Sequence, residues 1–157
     1  MELECKLDDF PLHLRHPFRM IRALAHVCLL STDLSRTLDF YIGTLGLQKQ
    51  FDFYRQDAWI GFYLKVAERQ FIEIFLDGTL PVDSPKGRLT HFCLEVDDIR
   101  EMHARLIARG VSVSAPKLGA DQSWQIWTKD PDGVDIEFHQ YSPQSLQFTG
   151  EKCLVNW

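Results

Sequence analysis

Ala25-His26-Val27-Cys28-Leu29, followed by Thr32-Asp33-Leu34, reappears as Thr90-His91-Phe92-Cys93-Leu94, followed by Asp97-Asp98-Ile99. His26 and His91, Cys28 and Cys93, and Asp33 and Asp98 each stand 65 positions apart. Each copy closes on a carboxylate inside an apolar run, Phe71-Ile72-Glu73-Ile74-Phe75 and then Asp135-Ile136-Glu137-Phe138, with the two glutamates 64 positions apart. Self-similarity at a fixed period means one supersecondary unit used twice. The copies differ by a single residue of net loop length.

Each copy reads as a strand, a helix and then several strands. The first helix takes Thr32 or Asp33 as its cap and sets Leu34, Leu38, Tyr41 and Leu45 along one side. It should end between Gly43 and Gly46. The second follows Asp97-Asp98, carries Ile99, Met102 and Leu106 on one side, and stops at Arg109-Gly110, a basic last turn before a glycine cap. Phe51-Asp52-Phe53 and residues 58–66 supply strands in copy one, as Val111-Ser112-Val113 and residues 124–128 do in copy two. Asp130-Pro131-Asp132-Gly133 marks a tight turn into the closing strand. The pattern predicts βαβββ twice, an α+β fold. One domain spans 21–141, with module one at 22–79, a proline-containing linker at 80–87 and module two at 88–141. Residues 1–20 and 142–157 are read as terminal extensions available for dimer contacts.

A chain of 157 residues is about one ordinary domain, able to bury roughly 68–70% of its unfolded surface. Its 45% hydrophobic and 25% charged content is that of a globular protein. Lys and Arg total 17 against 22 Asp and Glu, a net charge of −5, which offers no basic footprint for nucleic acid or anionic lipid. No run approaches the ~18 apolar residues of a membrane span, and the start has neither the basic leader nor the apolar stretch of a secretory signal. The four cysteines, at 5, 28, 93 and 153, form no C-x-x-C pair and no disulfide-dense pattern. A soluble, cytoplasmic protein with a small-molecule substrate is the expectation.

Strand side chains alternate faces, so each opening strand puts its histidine and cysteine on one side and apolar residues on the other. The closing strands do the same with Glu73 and Glu137. His26, Glu73, His91 and Glu137 thus hold repeat-equivalent places. Two neighbouring buried carboxylates would repel, and a divalent cation offsets both the repulsion and the desolvation. Two imidazoles with two carboxylates suit Zn²⁺, Ni²⁺, Co²⁺, Mn²⁺ or Fe²⁺ and leave coordination positions for water or substrate. Converging strands would make these four one site.

With the repeat and these four positions in view, residues 22–141 resemble the vicinal oxygen chelate superfamily, the glyoxalase I, bleomycin-resistance and extradiol dioxygenase fold. The resemblance rests on His26 with Asp33-Leu34, Phe40-Tyr41 and Leu45-Gly46-Leu47, on Phe71-Ile72-Glu73, on His91 with Val96-Asp97-Asp98, and on Asp130-Pro131-Asp132-Gly133 leading to Ile136-Glu137. It implies paired modules curling their mixed sheets into a cup around one divalent metal, usually in a homodimer whose sites form between chains. His26, Glu73, His91 and Glu137 are the implied metal ligands. Glu73 is absent from the set that dioxygenase and fosfomycin-resistance members generally use, so its presence favours the glyoxalase I-like branch. That branch implies a lyase or isomerase moving a proton through a metal-bound enediolate, with Glu137 as the base and Glu73 its counterpart. Leu30 stands where glyoxalases usually carry an arginine and Asp77 where an asparagine is common, which weighs against glutathione as cosubstrate. An Fe(II) extradiol dioxygenase and a non-catalytic antibiotic-binding protein are the alternatives.

Phe62, Phe75, Trp124 and Trp127 are read as pocket-lining aromatics, with Phe53 and Trp59 further candidates among residues that otherwise build core. Cys28 and Cys93 face the histidines but are read first as small buried hydrophobes. His139 reads equally as a partner behind the ligands or as a solvated strand-end residue. His13 and His16 are read as exposed tail. Residues 121–124 are read as a loop bordering the substrate.

Overall fold

The computed structural model describes residues 23–78 and 89–153. The 1–20 extension with His13 and His16, the 80–87 linker and the last four residues of the C-terminal extension lie outside them. Module one runs β1 (His26–Ser31), α1 (Leu34–Leu38), β2 (Gln48–Arg55), β3 (Ala58–Ala67) and β4 (Gln70–Leu76). Module two runs β5 (His91–Glu95), α2 (Ile99–Ala108), β6 (Lys117–Leu118), β7 (Trp124–Lys129) and β8 (Asp135–Gln140), and the short α3 (Leu146–Thr149) follows. Each module is a mixed four-stranded sheet, ordered β1-β4-β3-β2 and β5-β8-β7-β6, with only the β1–β4 and β5–β8 pairs parallel. The α+β fold of duplicated βαβββ units therefore stands. No helix among the described residues is long and apolar enough to cross a membrane.

The helix signals act where the sequence puts them. Asp33 caps α1 by accepting from the Arg36 amide, and Asp98 caps α2 by accepting from the amides of Arg100 and Glu101. Gly110 has a φ of +73°, as a glycine that ends a helix should. The first helix departs from a plain α-helix. After Leu38 it widens into a π-helical segment, Asp39–Thr44, in which the Leu45 amide reaches back five residues to the Phe40 carbonyl. The strand expected at 111–113 reduces to a single bridge between Val113 and Thr128, and the outer strand of this sheet is instead the two-residue β6.

One core joins the modules. Leu29, Leu34, Tyr41, Phe62, Leu64, Ile72 and Ile74 of module one form a single buried cluster with Ile99, Leu106, Ile126, Ile136 and Phe138 of module two. Polar side chains also cross between the modules. The Asp132 carboxylate, in the turn before β8, accepts from the Thr32 amide (3.0 Å), Thr32 Oγ1 (2.6 Å), Arg36 (3.0 Å) and Thr37 Oγ1 (2.8 Å) at the start of α1. Burial pushes this carboxyl up, but the hydrogen bonds from Thr32 and Thr37 outweigh it and hold it below the usual carboxylate range. The buried Tyr41 hydroxyl donates to Asp130 Oδ2 at 3.0 Å. There burial wins, and the Asp130 carboxyl lies above its ordinary value.

Candidate metal centre

Strand register sets which side chains face away from the helices. Opposite Glu73 on β4 stand Cys28 of β1 and Tyr63 of β3; opposite Glu137 on β8 stand Cys93 of β5 and Trp127 of β7. His26 Nε2 lies 3.8 Å from Glu73 Oε2, and His91 Nε2 lies 3.3 Å from Glu137 Oε2. Each opening-strand histidine thus lies beside the closing-strand glutamate of its own module, one pair on each sheet. The Thr90 hydroxyl and His91 Nδ1 form a hydrogen bond of 2.9 Å, so Nε2 is the nitrogen left to face Glu137. Such a partner on the far nitrogen orients ligand histidines generally. The Trp127 ring meets His91 edge-on at 4.7 Å.

The structure does not bring the four residues to one point within a chain. Among the described residues, the group of three whose ligand atoms all lie within 4.8 Å of one another is Cys93, Glu137 and His139. His139 is buried, with Nε2 2.9 Å from Glu137 Oε1, so it is no solvated strand-end residue. Cys28 and Cys93 are likewise not buried hydrophobes: both are solvent-exposed on the front faces. Desolvation, together with the adjacent Glu73, pushes the Cys28 thiol up to about 11. Desolvation and the charge of Glu137 push the Cys93 thiol up to about 12.

The aromatic expectations divide by face. Phe62 is fully buried, paired with Ile74 on the helix side of sheet one, and is core. Trp124 also faces the helices, packed against the core, with the Arg100 guanidinium 5.8 Å from its ring centre. Both are removed from the pocket. Phe75 and Trp127 do lie on the front. Phe75 packs on Phe53 at 4.7 Å, and Tyr63 stacks on Phe51 at 4.8 Å and on Phe71 at 5.1 Å. The His26 ring is 6.0 Å from that of Tyr63, so an aromatic sheet surface adjoins the first His–Glu pair. Sequence reading missed Phe51 and Tyr63, which reach this surface through strand register, Tyr63 opposite Glu73 and Phe51 opposite Tyr63.

The loop at 121–124 is anchored by residues 145–147 of the C-terminal extension. Ser123 Oγ donates to Ser145 Oγ at 3.0 Å, and Asp121 accepts from the Gln147 side chain. Tyr141 packs edge-on against His139 at 5.6 Å and tilts against Phe148 at 5.2 Å. The start of the C-terminal extension thus folds back beside the Glu137 end of sheet two.

Similarity to known proteins agrees with this architecture. The uncharacterized protein YaeR of Escherichia coli (strain K12) is 27% identical over 127 residues, 76% of this chain and 97% of that protein. TnmS3, an antibiotic binding protein from Streptomyces sp. CB03234, superposes with a TM-score of 0.63 at 27% identity, covering 78% of this chain and 98% of its own. Lactoylglutathione lyase from Agrobacterium tumefaciens shares the fold, with a TM-score of 0.61 at 22% identity over 77% of this chain and 95% of that one. Residues 23–138, which include both sheets except for the last two positions of β8, match the model of one family. With duplicated modules, a repeated His–Glu pair and that match, the chain belongs to the Glyoxalase/Bleomycin resistance protein/Dioxygenase superfamily.

Proposed function

We propose that the protein is a glyoxalase-like lyase or isomerase that moves a proton between adjacent carbons of a small oxygen-chelating substrate, using one divalent metal held by His26, Glu73, His91 and Glu137. The repeated pairing of an imidazole with a carboxylate, 3.8 Å apart in module one and 3.3 Å in module two, carries this reading. The donor set fits Zn²⁺, Ni²⁺, Co²⁺, Mn²⁺ or Fe²⁺: imidazole nitrogens and carboxylate oxygens face out of the sheets, and Thr90 presets His91. When bound, the metal supplies stabilisation of negative charge that develops on substrate oxygens in the transition state.

The chain's own groups do the rest. Glu137 takes the proton from one carbon and returns it to the neighbour, so no external oxidant or reductant is needed. Glu73 holds the symmetry-related place. The aromatic surface of Phe51, Phe53, Tyr63 and Phe75 excludes water beside His26 and receives the organic part of the substrate. Leu30, on the His26 face of β1, offers no cation to an anionic tripeptide, which favours a substrate other than a glutathione adduct. Because each pair sits on a separate sheet, the four ligands meet across a homodimer, module one of one chain facing module two of the other.

Incubation of metal-loaded protein with α-hydroxycarbonyl compounds and methylglyoxal–thiol hemithioacetals in D₂O tests the reading. Deuterium entering the carbon skeleton, without oxygen uptake and only with metal present, is expected. No exchange with any of them, or exchange unaffected by chelation, overturns it. Oxygen consumption with a catechol would point to the dioxygenase alternative. The aromatic surface and the likeness to TnmS3 favour one second reading, sequestration of an aromatic compound without turnover. Binding of such a compound by metal-free protein would support it.

A further inference from the structure

His139 has no counterpart in the duplicated pattern. It lies two residues past Glu137 on β8, where module one has Phe75 two past Glu73. Its residue surface is only 8% exposed, Nδ1 has no hydrogen-bond partner, and Nε2 meets only Glu137 Oε1, at 2.9 Å. Buried polar atoms are almost always partnered, so an imidazole left this way asks for a ligand. Cys93 supplies a third donor. It is the direct cross-strand neighbour of Glu137, and the ligand atoms of Cys93, Glu137 and His139 all lie within 4.8 Å of one another. The Glu137 carboxylate divides between two directions: Oε2 faces His91 at 3.3 Å and Oε1 faces His139 at 2.9 Å.

We propose that Cys93, Glu137 and His139 form a thiolate-containing divalent cation site, distinct from the His26–Glu73–His91–Glu137 set and joined to it through the two oxygens of Glu137. All three donors come from two neighbouring strands of one chain, so the site needs neither a second chain nor the proposed reaction. Thiolate, imidazole and carboxylate together select Zn²⁺ or Co²⁺ over Mg²⁺ or Mn²⁺, and three protein ligands leave a fourth tetrahedral position open. Binding converts the Cys93 thiol to a metal-bound thiolate and releases its proton to solvent. Module one provides an internal control: Cys28 faces Glu73 in the same register, but Phe75 replaces the imidazole.

Titration of the full-length metal-free protein with Co²⁺, followed by near-ultraviolet absorption, tests the site. A thiolate-to-cobalt charge-transfer band is expected in the wild type and in His26→Ala, Glu73→Ala and Cys28→Ser. It should vanish in Cys93→Ser, and in His139→Gln cobalt should bind at least about tenfold more weakly. Cys93 is solvent-exposed, so Cys93→Ser leaves the fold intact, which far-ultraviolet circular dichroism checks. A band that survives Cys93→Ser, or no band at saturating cobalt, overturns the proposal. Loss of the band in His26→Ala overturns it too, because Cys93 would then belong to the four-ligand centre. Failure of the deuterium exchange experiment leaves the band untouched, so the two readings fail separately.

Discussion

Asp132 shows how much one side chain carries. Its carboxylate gathers four hydrogen bonds from α1 and the residue before its cap, tying the second module to the first. Hydrogen bonds to a charged group contribute about 1.5–3 kcal/mol, so Asp132→Ala should cost about 2–3 kcal/mol in urea denaturation. The sign with pH follows from the shift. A carboxyl held below its ordinary value stabilises the fold above the usual carboxylate range and loses that contribution as pH falls through and beneath it. Wild-type stability should therefore drop more steeply on acidification below pH ~5 than that of Asp132→Asn. Asp130 acts in the opposite sense, since burial raises its carboxyl and protonation relieves a cost. Part of that rise comes from the Asp132 charge, which Asp132→Asn removes, so Asp130 offsets a part of the expected difference without reversing it. At the proposed metal centre, Thr90→Val removes the hydroxyl that holds His91 Nδ1. Metal affinity should fall about tenfold with stability nearly unchanged, as read by competition with a chelating dye.

At the level of elements, the caps and turns were written plainly in the sequence. Asp33, Asp98, Gly110 and the 130–133 turn each act through a local hydrogen bond or a backbone angle, and local chemistry is what a linear pattern records. The π-helical segment was not legible, because Leu34, Leu38, Tyr41 and Leu45 keep an apolar side whether or not one turn widens. Facing was legible only near the repeat. Glu73 and Glu137 fell on the front as expected, whereas Phe62 and Trp124 did not. Phe62 falls in a regular stretch of β3 where it pairs with core residue Ile74, and Trp124 stands three positions from Trp127 on β7, so strict alternation puts the two tryptophans on opposite faces. Gly61 marks a close approach: a Cβ there would sit 2.3 Å from the Ile74 carbonyl oxygen and 2.8 Å from Phe75 Cδ1. Gly61→Ala should destabilise by about 1–3 kcal/mol through strand distortion and move Phe75 off the aromatic surface. Thermal unfolding and loss of near-ultraviolet circular dichroism would report both.

For the whole molecule, the donors were legible from the repeat but their meeting place was not, because strand periodicity says nothing about how two sheets are set against each other. Each chain presents His26 with Glu73 on sheet one and His91 with Glu137 on sheet two, and among the described residues no three of these four gather. The strands that carry the histidines, β1 and β5, are edges of their sheets, each paired on one side only. An unpaired edge invites a partner strand, and in a symmetric dimer whatever module one of the first chain donates to the second is returned by the same operation. Complementation makes this arrangement measurable. His26→Ala and His91→Ala should each bind little metal at the four-ligand centre and turn over no substrate. Mixing the two after reversible unfolding yields mixed dimers in which one centre carries both substitutions and the other carries neither. Random pairing makes half of all dimers mixed, so about a quarter of the centres should regain proton exchange. A centre built inside one chain would leave every centre with one defect and recover nothing, so the recovered fraction distinguishes the two assemblies without knowledge of the natural substrate.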